Sequence, residues 1–274
     1  MDVPLACIGG GNMARALLAG YAGKFVVAEP DPARRGAFPN AVASAGEAMD
    51  WLERVEAEAG AGQVMLAIKP QMLGDVAREL GERVSGGTGR VVITMLAGTP
   101  SERVARALGG EGAERVRVVR IMPNTPAQIG KGITAIAVGA HAKGGDDALA
   151  RTILARAGQV IDVDESMMDA FTALAGSGPA YVFALCEAMQ RAGESLGFSP
   201  DDAARIARAT LVGAAALLER SEDSASVLRE RVTSKGGTTE AALRVLRERG
   251  LDELMRAAIT VARDRGAELA RETH

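Results

Sequence analysis

Two stretches of this 274-residue chain combine residue types and spacing that could do chemistry. The first, Gly9-Gly10-Gly11-Asn12-Met13-Ala14, follows the apolar run from Val3 to Ile8 and fits the pattern G-x-G-x-x-A. Gly9 suits a tight strand-to-helix turn, Gly11 lets a pyrophosphate approach the backbone, and Ala14 lets the helix pack closely on the strand. The free N–H groups and positive dipole end of that helix would then hold dinucleotide phosphates. Glu29, closing the second strand, can accept hydrogen bonds from an adenosine ribose and would repel a 2′-phosphate. Arg34 and Arg35, one turn on, could instead bind that phosphate. The two signals conflict, so NADPH and NADH both stay open as the cofactor. A solvated Glu29 and two helix-surface arginines are the plainer alternative.

The second stretch runs from Ser234 to Thr239. Gly236 and Gly237 precede a helix beginning near Thr239, and such a helix start can present several unpaired N–H groups to one point. It binds a carboxylate without any cationic side chain, each charge-assisted bond contributing about 1.5–3 kcal/mol. The alternative is a merely capped helix with Thr238 as N-cap.

Histidines are scarce: the two are His141, in a polar turn, and His274, the last residue of the sequence. Reducing a carbonyl needs a proton donor for the developing alkoxide, usually His or Lys, so His-assisted hydroxy-acid dehydrogenation is disfavoured. A protonated imine is different, because it already bears positive charge, accepts hydride directly and leaves a neutral amine. Orientation alone, worth about 7–11 kcal/mol, can then supply most of the acceleration. A threonine hydroxyl is enough to orient the nitrogen. Ser177, between Gly176 and Gly178, either shapes a pocket wall or caps a helix. It makes a poor nucleophile, because its half of the chain has no histidine base except the terminal one.

These residues need a scaffold, and the hydropathy pattern supplies one. Short apolar runs at Val3–Ile8, Phe25–Glu29, Val64–Ile68, Val91–Met95, Val116–Ile121, Ile133–Val138 and Val160–Val163 alternate with amphipathic segments such as Gln71–Val84 and Pro100–Leu108. Such alternation predicts an α/β fold, a Rossmann-type mainly parallel sheet covered on both faces, over residues 1–163. Beyond Val163 the strand signal stops. Ser177–Leu196, Pro200–Arg220, Thr239–Arg249 and Leu251–Arg271 carry helical spacing, predicting an all-helical domain over residues 164–274. Ser199 before Pro200, Asp201 and Asp202 reads as a capped helix start. The small apolar residues of Ala209–Leu218 suggest a subunit interface, an intradomain core being the alternative.

Composition excludes several classes. The net charge of -3 and 3% aromatics argue against nucleic acid, whose binding rests on phosphate neutralisation and base stacking. No uncharged apolar run approaches the roughly 20 residues of a membrane span. Asp2 and the early glycine run do not make a secretory leader, and Cys7 and Cys186 lie apart in apolar surroundings, so a reducing, cytoplasmic setting is expected. His, Cys and acidic residues never cluster at metal-ligating spacing, and no metal is expected.

Further blocks follow in order: Ala67-Ile68-Lys69-Pro70-Gln71, Met122-Pro123-Asn124-Thr125-Pro126, Leu174-Ala175-Gly176-Ser177-Gly178-Pro179-Ala180-Tyr181 and Val232-Thr233-Ser234-Lys235-Gly236-Gly237-Thr238-Thr239. With the glycine turn, over essentially the whole chain, they resemble the pyrroline-5-carboxylate reductase family. The resemblance implies a Rossmann domain followed by a helical dimerisation domain. It further implies reduction of a cyclic imino acid, 1-pyrroline-5-carboxylate, to L-proline by NADPH or NADH. It implies a homodimer interlocked through the helical domains and leaves open a larger ring of dimers.

By motif, Gly9, Gly11, Asn12 and Met13 would contact the cofactor phosphates, Ala67, Lys69 and Pro70 would line the cofactor cleft, and Asn124 joins the cofactor contacts. Ser234, Gly236, Gly237 and Thr238 would hold the substrate carboxylate, with Ser177 at the pocket wall. Thr239 would hydrogen-bond near the reacting nitrogen and is the candidate catalytic residue. Many members carry Pro where this chain has Lys235, which makes that lysine a poor candidate catalyst. The stretch Ala43–Gln63 matches no strong family motif and leaves its ribose contacts undefined. Two alternatives remain: a β-hydroxyacid dehydrogenase-like oxidoreductase using Lys235 as acid–base, and a non-catalytic NAD(P)-sensing regulatory protein.

Overall fold

The structure, a computed structural model, describes residues 3–272, so Asp2 and His274 lie outside the described residues. Eight strands form one sheet: β1 (Leu5–Ile8), β2 (Phe25–Ala28), β3 (Ala41–Val42), β4 (Gln63–Leu66), β5 (Val91–Thr94), β6 (Arg117–Met122), β7 (Gly132–Val138) and β8 (Gly158–Asp162). Their order is β3-β2-β1-β4-β5-β6-β7-β8, and every pairing is parallel except β6 with β7. β1, β4 and β5 are buried along their whole length, as expected of strands with helices on both faces.

The covering helices of this sheet are α1 (Asn12–Leu18), α2 (Pro32–Arg35), α3 (Ala45–Ala59), α4 (Leu73–Ser85), α5 (Ser101–Gly109) and α6 (Ala148–Leu154). On one face Met49 and Leu52 of α3, Leu80 of α4 and Leu108 of α5 pack against Ala6, Val64 and Val92. On the other, Leu17 of α1 and Ile153 and Leu154 of α6 pack against Cys7, Met65 and Ile93. The anticipated strands are therefore in place. β3 and α3 extend that expectation. A two-residue strand is too short to show a period, but α3 has a helical stripe at Ala45, Ala48, Met49 and Leu52. Its N-cap is Ser44, whose Oγ accepts from the Glu47 N–H at 3.2 Å, and Glu47 Oε2 accepts from the Ala43 N–H just ahead of the cap at 3.1 Å.

The chain reverses direction across the sheet between β1 and β4, and ligands of such sheets bind beyond the carboxyl ends of the strands at that point. Gly9 follows β1 there and Ala67 follows β4.

After β8 come α7 (Met168–Phe171), a π-helical turn (Thr172–Gly176), then α8 (Gly178–Ser195), α9 (Pro200–Arg220), α10 (Ala225–Arg231), α11 (Thr238–Glu248) and α12 (Leu251–Glu272). Contacts divide the chain into two compact units, one running through Ser177 and taking in the chain from Ala262, the other Gly178–Val261. Within the first, buried Arg120 of β6 donates to Glu165 Oε1 at 3.2 Å. Glu165 also accepts from the Ser101 N–H and Oγ, and so anchors the segment that precedes α7.

Within the second unit, α9 starts as expected, with Ser199 Oγ accepting from the Asp202 N–H at 3.2 Å and Pro200 at the first helical position. Gly193 lets α8 and α9 cross closely, since a Cβ there would lie 3.2 Å from the Ala203 Cβ. Among the described residues of this unit only Ala203 and Ala207 are buried, while Phe183, Leu196, Val212 and Leu254 are exposed. Helices with that much apolar surface in water need a further partner.

Candidate functional site

Backbone geometry explains the glycine turn. Gly9 has φ +106, a region L side chains rarely adopt, and a Cβ there would lie 2.8 Å from the Ala67 carbonyl carbon. The turn at the end of β1 is thereby pressed against the chain leaving β4. At Gly10 a Cβ would lie 2.8 Å from the Glu29 Cβ, whereas at Gly11 it would meet nothing within 4 Å. Gly11 is the N-cap of α1 with no capping side chain. The N–H groups of Asn12 and Met13 have no partner among the described residues and face the same open end. A phosphate fits this arrangement: free donors, the positive end of a helix and room in front of Gly11.

Glu29 is buried at 3% exposure, and its carboxylate is already engaged. Oε2 accepts from the Gly10 N–H at 2.9 Å, Oε1 from the Asp31 N–H at 3.0 Å, and Arg34 Nη2 lies 3.3 Å from Oε1. Glu29 thus clamps the glycine turn, and Oε2 keeps one acceptor site for a ribose hydroxyl. Arg34 Nε also donates to Asp31 Oδ2 at 3.0 Å, and Arg35 Nη1 donates to the Glu29 carbonyl at 3.1 Å. Both guanidinium groups therefore stand at the end of β2, where an adenosine 2′-substituent would lie. The Ala33 N–H, ahead of Arg34, holds the Asp31 carboxyl below its ordinary value. Lys69 and Pro70 follow β4, with Pro70 opening a 3₁₀ turn at Pro70–Met72 and Lys69 exposed.

In the second unit α11 begins at Thr238, and its N-cap is Gly237, so Thr238 is the first helical residue and not the cap. The loop amides are not all free. The Gly236 N–H donates to Glu240 Oε2 at 2.6 Å, and the Gly237 N–H donates to the Ser234 carbonyl at 3.0 Å. Gly236 sits at φ +73, and Gly237 is pressed close, a Cβ there coming 3.1 Å from the Ser234 carbonyl oxygen. The Thr238 and Thr239 N–H groups, at the first two positions of α11, have no partner among the described residues. Two such amides and the Thr239 hydroxyl suit a small carboxylate with a polar atom next to it. Lys235 is exposed.

Ser177 ends the π turn, its N–H donating to the Thr172 carbonyl at 2.8 Å. Asn124, buried after β6, uses both ends of its amide: Nδ2 donates to the Ala175 carbonyl at 3.1 Å and Oδ1 accepts from the Ile133 N–H at 3.0 Å. Burial pushes the Cys7 thiol up to about 12, which leaves it a small apolar core group. A cavity of about 500 Å³ runs along α1 past Arg15, Tyr21, Phe25 and Phe38 and meets the glycine turn at Asn12. Its lining includes no carboxylate, histidine or lysine to move a proton. Among the described residues no group of His, Cys, Asp and Glu could hold a metal ion, and no helix is long and apolar enough to cross a membrane.

Sequence reasoning missed the Glu29 clamp on Gly10, the Glu240 clamp on Gly236 and the Asn124 bridge. An acid in the first turn of α11, next to two glycines, was the readable signal for the second.

Known proteins match these features along the whole chain. Residues 165–269 match the family described as pyrroline-5-carboxylate reductase dimerisation, and residues 4–98 that described as NADP oxidoreductase, coenzyme F420-dependent. A pyrroline-5-carboxylate reductase of Pseudomonas aeruginosa is 37% identical over 99% of both chains. One from Synechocystis is 34% identical over 99% of this chain and 100% of that one. A solved pyrroline-5-carboxylate reductase from Coxiella burnetii superposes with a TM-score of 0.84 at 32% identity, over 98% of this chain and 99% of that one.

Proposed function

The chain belongs to the pyrroline-5-carboxylate reductase family, and from that premise we propose that it reduces 1-pyrroline-5-carboxylate to L-proline with NADPH or NADH. The observation that carries the site assignment is the pair of unpaired amides at Thr238 and Thr239, next to a hydroxyl, in the motif the sequence shares with that family. Bound NAD(P)H supplies the hydride. The glycine turn holds the cofactor phosphates through Gly9, Gly11, Asn12 and Met13, Glu29 and Arg34 meet the adenosine ribose, and Ala67, Lys69 and Pro70 line the same end of the sheet.

The Thr238 and Thr239 N–H groups fix the imino-acid carboxylate, in the loop shaped by Ser234, Gly236 and Gly237. The Thr239 hydroxyl orients the ring nitrogen. A protonated imine needs no acid at the reacting carbon, which accords with a site built without histidine. Ser177 borders the ring. The helical domain begins after Val163 in this reading, which the start of the dimerisation match at residue 165 supports, whereas contacts alone group residues 164–177 and the chain from Ala262 with the sheet.

The exposed apolar residues of the helical unit form the homodimer face, and mass in solution reads the rest: two protomers for the dimer alone, a higher even number for a ring. The two free thiols, Cys7 and Cys186, support a cytoplasmic setting. The test is oxidation of NADPH and NADH, side by side, with 1-pyrroline-5-carboxylate. Turnover with at least one cofactor is expected. Tight cofactor binding without any turnover would turn the assignment toward a sensing protein.

A further inference from the structure

We propose that Asn124 is a positioning residue for the imino acid and not a cofactor contact: its side-chain amide replaces the N–H that Pro179 lacks, and so fixes the turn that carries Ser177. In an α-helix the carbonyl of residue 175 would accept from the N–H of residue 179. Residue 179 is proline, which has no N–H and whose ring crowds that carbonyl. The chain widens here into the π turn Thr172–Gly176, closed by the Ser177 N–H on the Thr172 carbonyl at 2.8 Å. Turns of this kind occur frequently at functional sites.

The donor that the Ala175 carbonyl receives comes instead from Asn124 Nδ2, at 3.1 Å across 51 residues of sequence. The other end of the same amide is held by the Ile133 N–H at 3.0 Å, where β7 begins. Asn124 is 8% exposed, so turning its amide toward a cofactor would leave both of those backbone groups without their partner. A second bond stiffens the same turn, Thr172 Oγ1 donating to the Met168 carbonyl at 2.7 Å. The sheet thereby sets the position of Ser177 through one side chain. Two motifs that stand far apart in sequence, MPNTP and LAGSGPAY, become one device.

This role rests on the proposed function, in which Ser177 borders the imino acid and the glycine turn holds the cofactor. The full-length enzyme tests it through Asn124→Asp, which keeps the shape and removes the donor. NADPH affinity is measured by fluorescence titration without imino acid, and KM for 1-pyrroline-5-carboxylate by steady-state turnover. The expected result is an NADPH Kd within about twofold of wild type and an imino-acid KM raised about tenfold, a split that loss of general stability would not produce. Ser177→Ala should raise the same KM, and the double variant should add little to it.

Asn124→Ala paired with Pro179→Ala gives the second arm, because alanine at 179 restores the missing N–H. If Asn124→Asp or Asn124→Ala fails to fold, this pair still decides, since Pro179→Ala should then recover both soluble enzyme and a KM near wild type. A weakened NADPH Kd with unmoved KM, both constants unmoved, both weakened alike, or no rescue by Pro179→Ala would each overturn the role. Absence of wild-type turnover overturns the functional assignment, and this role with it.

Discussion

Replacing Gly9 and Gly11 by alanine separates two reasons for glycine within one turn. At Gly9 the backbone itself demands it: φ is +106, and the added Cβ would stand 2.8 Å from the Ala67 carbonyl carbon, closer still to its oxygen. Holding alanine in such a conformation costs about 1–3 kcal/mol. The contact adds to that, because the obstacle is backbone of β4's exit and not a side chain that can swing away. A total of about 3 kcal/mol should lower Tm by roughly 6 °C or more.

Gly11 is the opposite case. Its φ of -70 suits alanine, a Cβ meets nothing within 4 Å, and the cost is the loss of a good N-cap, about 1 kcal/mol or less. That open space is where a phosphate would sit, so alanine there should displace at least one charge-assisted bond. At about 1.5–3 kcal/mol per bond, NADPH binding weakens roughly 10- to 100-fold. Differential scanning calorimetry and fluorescence titration of both variants give the two readouts. If Gly11→Ala bound NADPH as tightly as wild type, the phosphate would not lie on this turn.

Thr239→Ala should lower kcat by about 10²-fold or more with little change in cofactor affinity, and unchanged steady-state kinetics would remove Thr239 from the mechanism. Lys235→Ala should keep turnover; its abolition would favour hydroxy-acid dehydrogenase-like chemistry. Arg34→Ala should raise KM for NADPH about tenfold and leave that for NADH within about twofold, and equal effects on both would place the 2′-phosphate elsewhere. Cys7 titrates near 12 in the fold against an ordinary 9.0, so the native state keeps a proton that the unfolded chain releases between those values. Its contribution to stability is complete below pH 9 and is lost as pH rises through that window. The denaturation midpoint of wild type should therefore fall more steeply above pH 9 than that of Cys7→Ala, and thiol reagents at pH 8 should leave native Cys7 unlabelled. Rapid labelling would refute its burial.

Whether a feature was legible in sequence depended on how far along the chain its cause lay. The run Leu5–Ile8, the glycines after it and the helix from Asn12 are governed by neighbours, and they were readable as a phosphate turn. The same holds for Ser199 before Pro200, whose cap lies three residues on. The strands of the parallel sheet were readable because burial on both faces leaves few polar positions. Glu29 shows where that stops. Its type and place suggest a ribose acceptor, yet one oxygen is bound by an amide 19 residues earlier, which no local pattern announces.

Gly236 and Gly237 are intermediate. A donor-rich helix start was readable, but the Glu240 carboxylate and the Ser234 carbonyl claim the amides of both glycines, while those of Thr238 and Thr239 keep no partner among the described residues. Pro179 marks the limit most clearly. Sequence alone establishes that the Ala175 carbonyl loses its helical donor, since proline has none to give. It does not say which residue supplies a replacement, because every buried amide in the chain is a candidate until the sheet order brings β6 and its following loop beside that turn. A local rule can thus locate an unmet hydrogen bond, while only the topology names the residue that meets it.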